Sequence, residues 1–213
     1  MMKKILLILL VMFLPQGTFG NEPPAEQTAA SKKDRIISRI ERATSSVKTV
    51  ASDFLEEKHM AMLQEAVFSR GRFYFEKPDR LRWELIEPGP SGFAVQGNRA
   101  KRWRGQKVAS KVFEIHEAPG IKAFTDQVFA WVRADFEWLE QGYIIRVVQE
   151  DPVALKLVPR SASEKDYLNH LRIVFAADLS HVSIVEIHEA DGDFTRIRFM
   201  NIEVNGPRRK DLF

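Results

Sequence analysis

Between Gly71 and Leu85 large apolar and polar side chains alternate on both sides of Lys77-Pro78-Asp79. Phe73 and Phe75 share one side of the first arm, and Leu81, Trp83 and Leu85 share one side of the second. Successive side chains of a strand point to opposite faces, so this pattern predicts two strands, each with one large apolar face. Proline has no N–H to give to a ladder, which puts the turn at Pro78-Asp79 and the strands at about Glu65–Glu76 and Arg80–Ile86. Upstream, Val50, Ser52, Phe54 and Glu56 alternate with Thr49, Ala51, Asp53 and Leu55, predicting a strand that ends near His59.

Helical spacing precedes these strands. Ile36, Ile37, Ile40, Ala43 and Val47 recur at three- and four-residue steps, with Asp34 as the candidate N-cap. Pro88-Gly89-Pro90-Ser91-Gly92 is dense in turn formers and leads to short strands at Phe93–Val95, Arg99–Trp103 and Lys107–Glu114. Pro119-Gly120 opens a second helical segment with the stripe Ile121, Phe124, Val128, Trp131 and Val132, and Asp135 to Leu139 continues it or forms a short further helix. Strands then follow near Tyr143–Gln149, Val153–Pro159, Leu171–Ala176, Ser183–Glu189 and Phe194–Glu203. Many strands joined by short turns, with helices before and midway, predict an α+β fold. The expected form is an open, strongly curved antiparallel sheet with helices on its concave side.

The ends and the composition narrow the setting. Lys3 and Lys4, the apolar run Ile5 to Leu14 and Thr18-Phe19-Gly20 have the layout of a secretory signal peptide over residues 1–20. The run is shorter than the roughly 20 residues needed to span a bilayer. Residues 21–33 are Pro-, Ala- and polar-rich and read as a disordered lead-in, leaving 34–213 as a single domain. The chain has no cysteine, which excludes disulfides, thiolate ligands and a lipid-modified cysteine, so the expected product is soluble, unanchored and periplasmic. The formal charge of +3 includes the two leader lysines, and Arg residues interleave with Asp and Glu, so nucleic acid is not an expected partner.

His59, His116, His170, His181 and His188 show no tight metal-ligand spacing, so no metal and no cofactor are expected. Ser, His and Asp occur without a Gly-x-Ser-x-Gly elbow. Glu56, Glu65, Glu76 and Glu84, the best placed carboxylates, each fit a solvated strand face, so no enzyme is expected. Arg208-Arg209-Lys210 is a candidate contact for an anionic surface, though a solvated tail is the simpler reading. The aromatic face itself has two readings: an ordinary core under Ile36, Ile40 and the mid-chain helix, or a surface for a greasy ligand.

Phe54-Leu55-Glu56, Gly71-Arg72-Phe73, the turn Lys77-Pro78-Asp79, the strand around Arg82-Trp83 and a glycine-containing turn before Trp103 carry a resemblance. In their order and spacing the chain resembles the periplasmic outer-membrane lipoprotein carrier (LolA) family over nearly all of its length after the leader. That resemblance implies an open half-barrel closed by a helical lid, with a cavity for lipoprotein acyl chains. It implies cargo received from an inner-membrane lipoprotein-releasing transporter and passed to an outer-membrane acceptor by a monomeric carrier. Each acyl CH₂ withdrawn from water is worth about 0.8 kcal/mol, so such a chain needs cover in transit. The cavity would be lined by Phe54, Phe73, Phe75, Leu81, Trp83, Leu85, Phe124, Val128 and Trp131.

The family residue before the turn proline is an arginine that ties down the lid, and here Lys77 takes its place, with the charge but without the planar fork of donors. The chain also ends at Phe213, about where the family continues into a short terminal strand. Both departures suit a divergent carrier. The rival readings are a carrier of a glycolipid or another outer-membrane lipid, a regulatory lipoprotein sensor, and a periplasmic hydrolase.

Overall fold

The computed structural model describes residues 25–105, 111–207 and 212–213. The predicted leader, the start of the lead-in, most of the loop side of the Lys107–Glu114 strand and Arg208-Arg209-Lys210 lie outside the described residues. Eleven strands form one sheet: β1 (Thr49–His59), β2 (Val67–Glu76), β3 (Arg80–Glu87), β4 (Ser91–Gln96), β5 (Arg99–Arg104), β6 (Lys111–Glu114), β7 (Tyr143–Glu150), β8 (Val153–Pro159), β9 (Leu168–Phe175), β10 (Val182–Glu189) and β11 (Phe194–Val204). The helices are α1 (Ala25–Ser45), α2 (Pro119–Arg133), α3 (Phe136–Gly142) and the single turn α4 (Ala162–Lys165).

The spatial order is β6-β5-β4-β3-β2-β1-β11-β10-β9-β8-β7, and every neighbouring pair is antiparallel. Each half is a run of hairpins, and the long-range pairing of β1 with β11 joins them. β6 and β7 pair on one side only, so the sheet is open.

Register explains the aromatic face. One row across the sheet reads Val50, Phe75, Leu81, Val95, Ala100 and Phe113, and the next reads Ser52, Phe73, Trp83 and Phe93. In the third row Phe54 faces Gly71, which faces Leu85. A Cβ on Gly71 would fall 2.6 Å from Cε1 of Phe54 and closer still to its Cζ and to the Glu84 carbonyl. Glycine here lets the Phe54 ring lie across the strand and reach Trp83, with centroids 4.4 Å apart.

The helices cover this same face. Ile36, Ile37 and Ile40 of α1, Val128 and Trp131 of α2, and Phe136 and Leu139 of α3 join the inner side chains of the strands in one core. A smaller cluster of Val95, Ala100, Phe113 and Ile115 extends the apolar face toward β6 under Ile121. α2 starts with proline in its first turn, where the missing N–H costs nothing, and stops at Ala134, whose left-handed backbone (φ 54°) turns the chain into α3. Asp135 caps α3 by accepting from the Trp138 N–H at 3.0 Å.

The N-terminal boundary is corrected. α1 begins at Ala25, so the described part of the expected disordered lead-in is helical and Asp34 lies inside the helix rather than at its cap. The sequence there holds alanines, Gln27, Lys32 and Lys33, all good helix formers. Lys33 reaches Glu140 at 2.8 Å and Lys32 reaches Glu150 at 2.6 Å, tying the extension to α3 and β7. α4 had no counterpart in the pattern, because one helical turn is too short to show a period.

Candidate functional site: an apolar cavity under the mid-chain helix

Between α2 and the sheet lies a cavity of about 40 Å³. Its sheet wall carries Phe73, Trp83, Ile197 and Phe199, with Val182, Val185 and Ile187 on the β10 side, and Phe124, Val128, Trp131 and Val132 of α2 form the cover. The volume is a few times the roughly 10–15 Å³ that one water needs, so the space takes a few waters at most. A fatty acyl chain needs many times that space. With α2 in this position the free space is too small for such a chain, and α2 or its large side chains must move before one could enter.

Aromatic contacts fill most of the gap. Trp83 meets Phe124 edge-on at 5.1 Å and Phe199 at 6.2 Å, while Phe73 meets Phe199 at 5.7 Å. Of the predicted lining residues, Phe73, Trp83, Phe124, Val128 and Trp131 do line this cavity. Phe54, Phe75 and Leu81 share the face but are fully packed in the core. Leu85 lies beside Trp83 and Ile121 in a separate, open groove toward β4 and β5. Phe199, Ile197 and the β10 residues were missed. Their alternation was legible, but only the pairing of Phe54 with Phe199 brings β11 beside β1.

Three polar residues interrupt the lining. Ser52 on β1 and Trp131 on α2 are 6% and 8% exposed, and neither the Ser52 hydroxyl nor the Trp131 indole N–H has a hydrogen-bond partner among the described residues. His181 is the third, at the turn from β9 to β10. Its Nδ1 lies 2.8 Å from the Ser180 hydroxyl, which lies 2.8 and 2.9 Å from the two carboxylate oxygens of Asp178. Serine stands in the middle of that chain. With its proton committed to Asp178, its oxygen accepts from the imidazole, the reverse of a nucleophile activated by histidine. Burial holds His181 below its ordinary range against the opposing pull of Asp178. Among the described residues no Lys, Arg, Asp or Glu lines the cavity.

The candidate latch residue, Lys77, meets α1. Lys77 does not reach α2: its Nζ lies 3.4 and 3.5 Å from the Thr44 and Ser45 carbonyls at the C-terminal end of α1. Burial, and then the charge of Arg133, lower the Lys77 pKa. The tie to the cover comes from the opposite side. Arg133, in the last turn of α2, donates through Nη2 to the Pro78 carbonyl in the β2–β3 turn. Its guanidinium lies 4.3 Å over the ring of Phe129, which in turn meets Phe75.

The candidate acid–base carboxylates do not converge. Glu76 pairs with Arg80 and Glu84 with Arg82, while Glu56 on the inner face is raised by burial. Glu189, Asp191 and Asp193 do approach within 4.8 Å at the β10–β11 turn. Glu189 pairs with Lys58, and Asp193 and Asp191 accept backbone N–H groups, so this trio is accounted for as turn structure. No helix among the described residues is long and apolar enough to cross a membrane.

An open antiparallel sheet whose one apolar face is roofed by helices defines the class of fold. The family described as outer membrane lipoprotein carrier protein LolA matches residues 45–213, and the chain belongs to that family. No curated protein matches it in sequence. Among solved structures it is similar to the Pseudomonas aeruginosa MucA/MucB complex at 13% identity and a TM-score of 0.50, covering 84% of this chain and 59% of that one. A LolA superfamily protein from Nitrosomonas europaea matches at 7% identity and a TM-score of 0.42, over 84% of this chain and 96% of that one. The Mycobacterium tuberculosis lipoprotein LppX matches at 12% identity and a TM-score of 0.47, over 84% and 99%. At such identities the likeness is one of fold.

Proposed function

We propose that this protein is a periplasmic carrier that holds lipid acyl chains, those of lipoproteins foremost, between its sheet and α2. It takes them up at the inner membrane and delivers them to the outer membrane. The observation that carries this reading is the uncharged cavity under α2, roofed by Phe124, Val128 and Trp131 and floored by Phe73, Trp83 and Phe199. Family membership supplies the class of cargo. A cavity this small suits a carrier whose empty state closes on itself, since an open apolar trough of this length would attract other chains.

Loading replaces contacts between α2 and the sheet with contacts between the lipid and both walls. The net affinity stays moderate because the first set of contacts is given up, and moderate affinity permits release. Phe54, Phe75 and Leu81 act beneath the cavity by fixing the rings above them. Leu85 extends the apolar floor toward the groove beside β4 once α2 has moved. Lys77 holds the end of α1, and Arg133 holds α2 closed.

The test uses spheroplasts secreting a tagged outer-membrane lipoprotein. The purified protein from Asn21 onward is expected to bring that lipoprotein into the soluble fraction, and Trp83→Asp to abolish release. Absence of release by a folded protein that still binds a fluorescent fatty acid would reassign the cargo to another lipid.

A further inference from the structure

Four side-chain polar atoms are buried without a partner among the described residues: Ser52 Oγ, Thr125 Oγ1, Trp131 Nε1 and Gln127 Nε2. Two of the four, Ser52 Oγ and Trp131 Nε1, belong to the cavity lining, one on each wall. A buried polar group without a partner costs roughly 1–3 kcal/mol, and native structures seldom leave one unexplained. A hydrocarbon ligand would leave both atoms as they are.

The chemistry of the two atoms fixes what they want. An indole N–H donates only, and a serine hydroxyl can donate, so the missing ligand atom is an acceptor. The surrounding side chains fix its charge. Among the described residues no Lys or Arg lines the cavity, and its one imidazole, His181, is kept neutral by burial and already engages Ser180 through Nδ1, so a carboxylate or phosphate would be buried unpaired at prohibitive cost. The acceptor is therefore neutral, and it is attached to a chain that fits an apolar lining. An ester carbonyl meets each condition.

We infer that the cavity selects ester-linked acyl chains, with Ser52 and Trp131 donating to their carbonyl oxygens. This rests on the lipid-carrier reading above and specifies its cargo. Ser52 is on the sheet beside Phe73 and Trp131 is on the cover, so a diacyl ligand with two carbonyls bridges the two walls. Ether-linked and purely hydrocarbon chains bury the same area and lack the acceptor. Discrimination follows from the donors they leave unpaired.

The test measures displacement of a fluorescent acyl probe from the full chain by dipalmitoylglycerol and by its diether analogue, dihexadecylglycerol. The diester is expected to bind about tenfold more tightly than the diether. Ser52→Ala and Trp131→Phe are each expected to bring that ratio severalfold closer to one. Thr125→Val removes an orphaned hydroxyl of α2 that does not line the cavity, and is expected to keep the ratio. Circular dichroism melting identifies any variant that fails to fold, and the other variant then carries the comparison. Equal affinities for diester and diether, or a ratio kept in both variants, would overturn the ester inference and leave the carrier reading standing. Displacement by neither compound would overturn the carrier reading, and the inference with it.

Discussion

α1 and α2 cover the same face of the same sheet and do so differently. α1 buries Ile36 and Ile40 completely, at 0% exposure each, in the main core. α2 presents Phe124, Val128 and Trp131 over a cavity and leaves an indole N–H unpaired. Branched aliphatic side chains on α1 interlock with the strands, while flat rings on α2 bridge a space. The lesson is that burial alone does not separate core from cover. Val128 and Trp131 are nearly as buried as the α1 isoleucines, and what distinguishes them is the unfilled volume and unsatisfied donors beside them.

The largest effect expected from this contrast is on stability. Ile40→Ala removes a fully buried side chain and should cost about 2–5 kcal/mol in denaturant unfolding. Phe124→Ala, only partly buried, should cost less and should change the affinity for an acyl probe more than Ile40→Ala does. The reverse ranking would end the distinction between the two helices. Gly71→Ala probes the layer beneath both. A Cβ there meets Phe54 and the Glu84 carbonyl, and the substitution should cost about 1–3 kcal/mol through overpacking and displacement of the Phe54 ring.

Smaller effects sharpen the comparison at the β2–β3 turn. Arg133→Ala removes the donor to Pro78 and the stack on Phe129, and should cost about 1 kcal/mol while speeding acyl-probe uptake in stopped flow. Lys77→Ala breaks two long contacts to α1 and should leave uptake rates near those of the unaltered protein. Faster uptake in the lysine variant alone would return the latch to Lys77.

The smallest effect lies on the opposite face. His170 and His188 stack at 4.1 Å across β9 and β10, and burial, then His188, hold the His170 pKa down to about 4, against 6.5 for an ordinary histidine. The unfolded chain takes up this proton first, so stabilisation by neutral His170 is complete above pH 6.5 and is lost as pH falls toward 4. Melting temperatures at pH 7.5 and 4.5 should converge in His170→Phe relative to the unaltered protein.

Much of the fold was legible in the sequence because period-2 alternation and turn residues act locally. The β2–β3 hairpin around Pro78, the inner face of Phe54, Phe73, Phe75, Leu81 and Trp83, and the α2 stripe all follow from spacing. The start of α1 was not legible. Its apolar stripe begins only at Ile36, and the earlier turns are helical by propensity and by their ties to Glu140 and Glu150. The candidate site was half legible. Its β2, β3 and α2 walls come from local pattern, whereas its β10 and β11 wall depends on the pairing of the first strand with the last, which no spacing announces. The unpaired donors of Ser52 and Trp131 were invisible for a similar reason, since satisfaction of a polar group is a property of its neighbours in space.

The account centres on α2 moving while α1 stays. The chain has no cysteine, so spin labels can be placed at will. The decisive measurement pairs Arg72→Cys on β2 with Lys122→Cys on α2, and separately with Arg39→Cys on α1, and reads both distances with and without bound diacyl lipid. The account predicts that lipid lengthens the distance to α2 and leaves the distance to α1 unchanged. Bound lipid with both distances unchanged would contradict it.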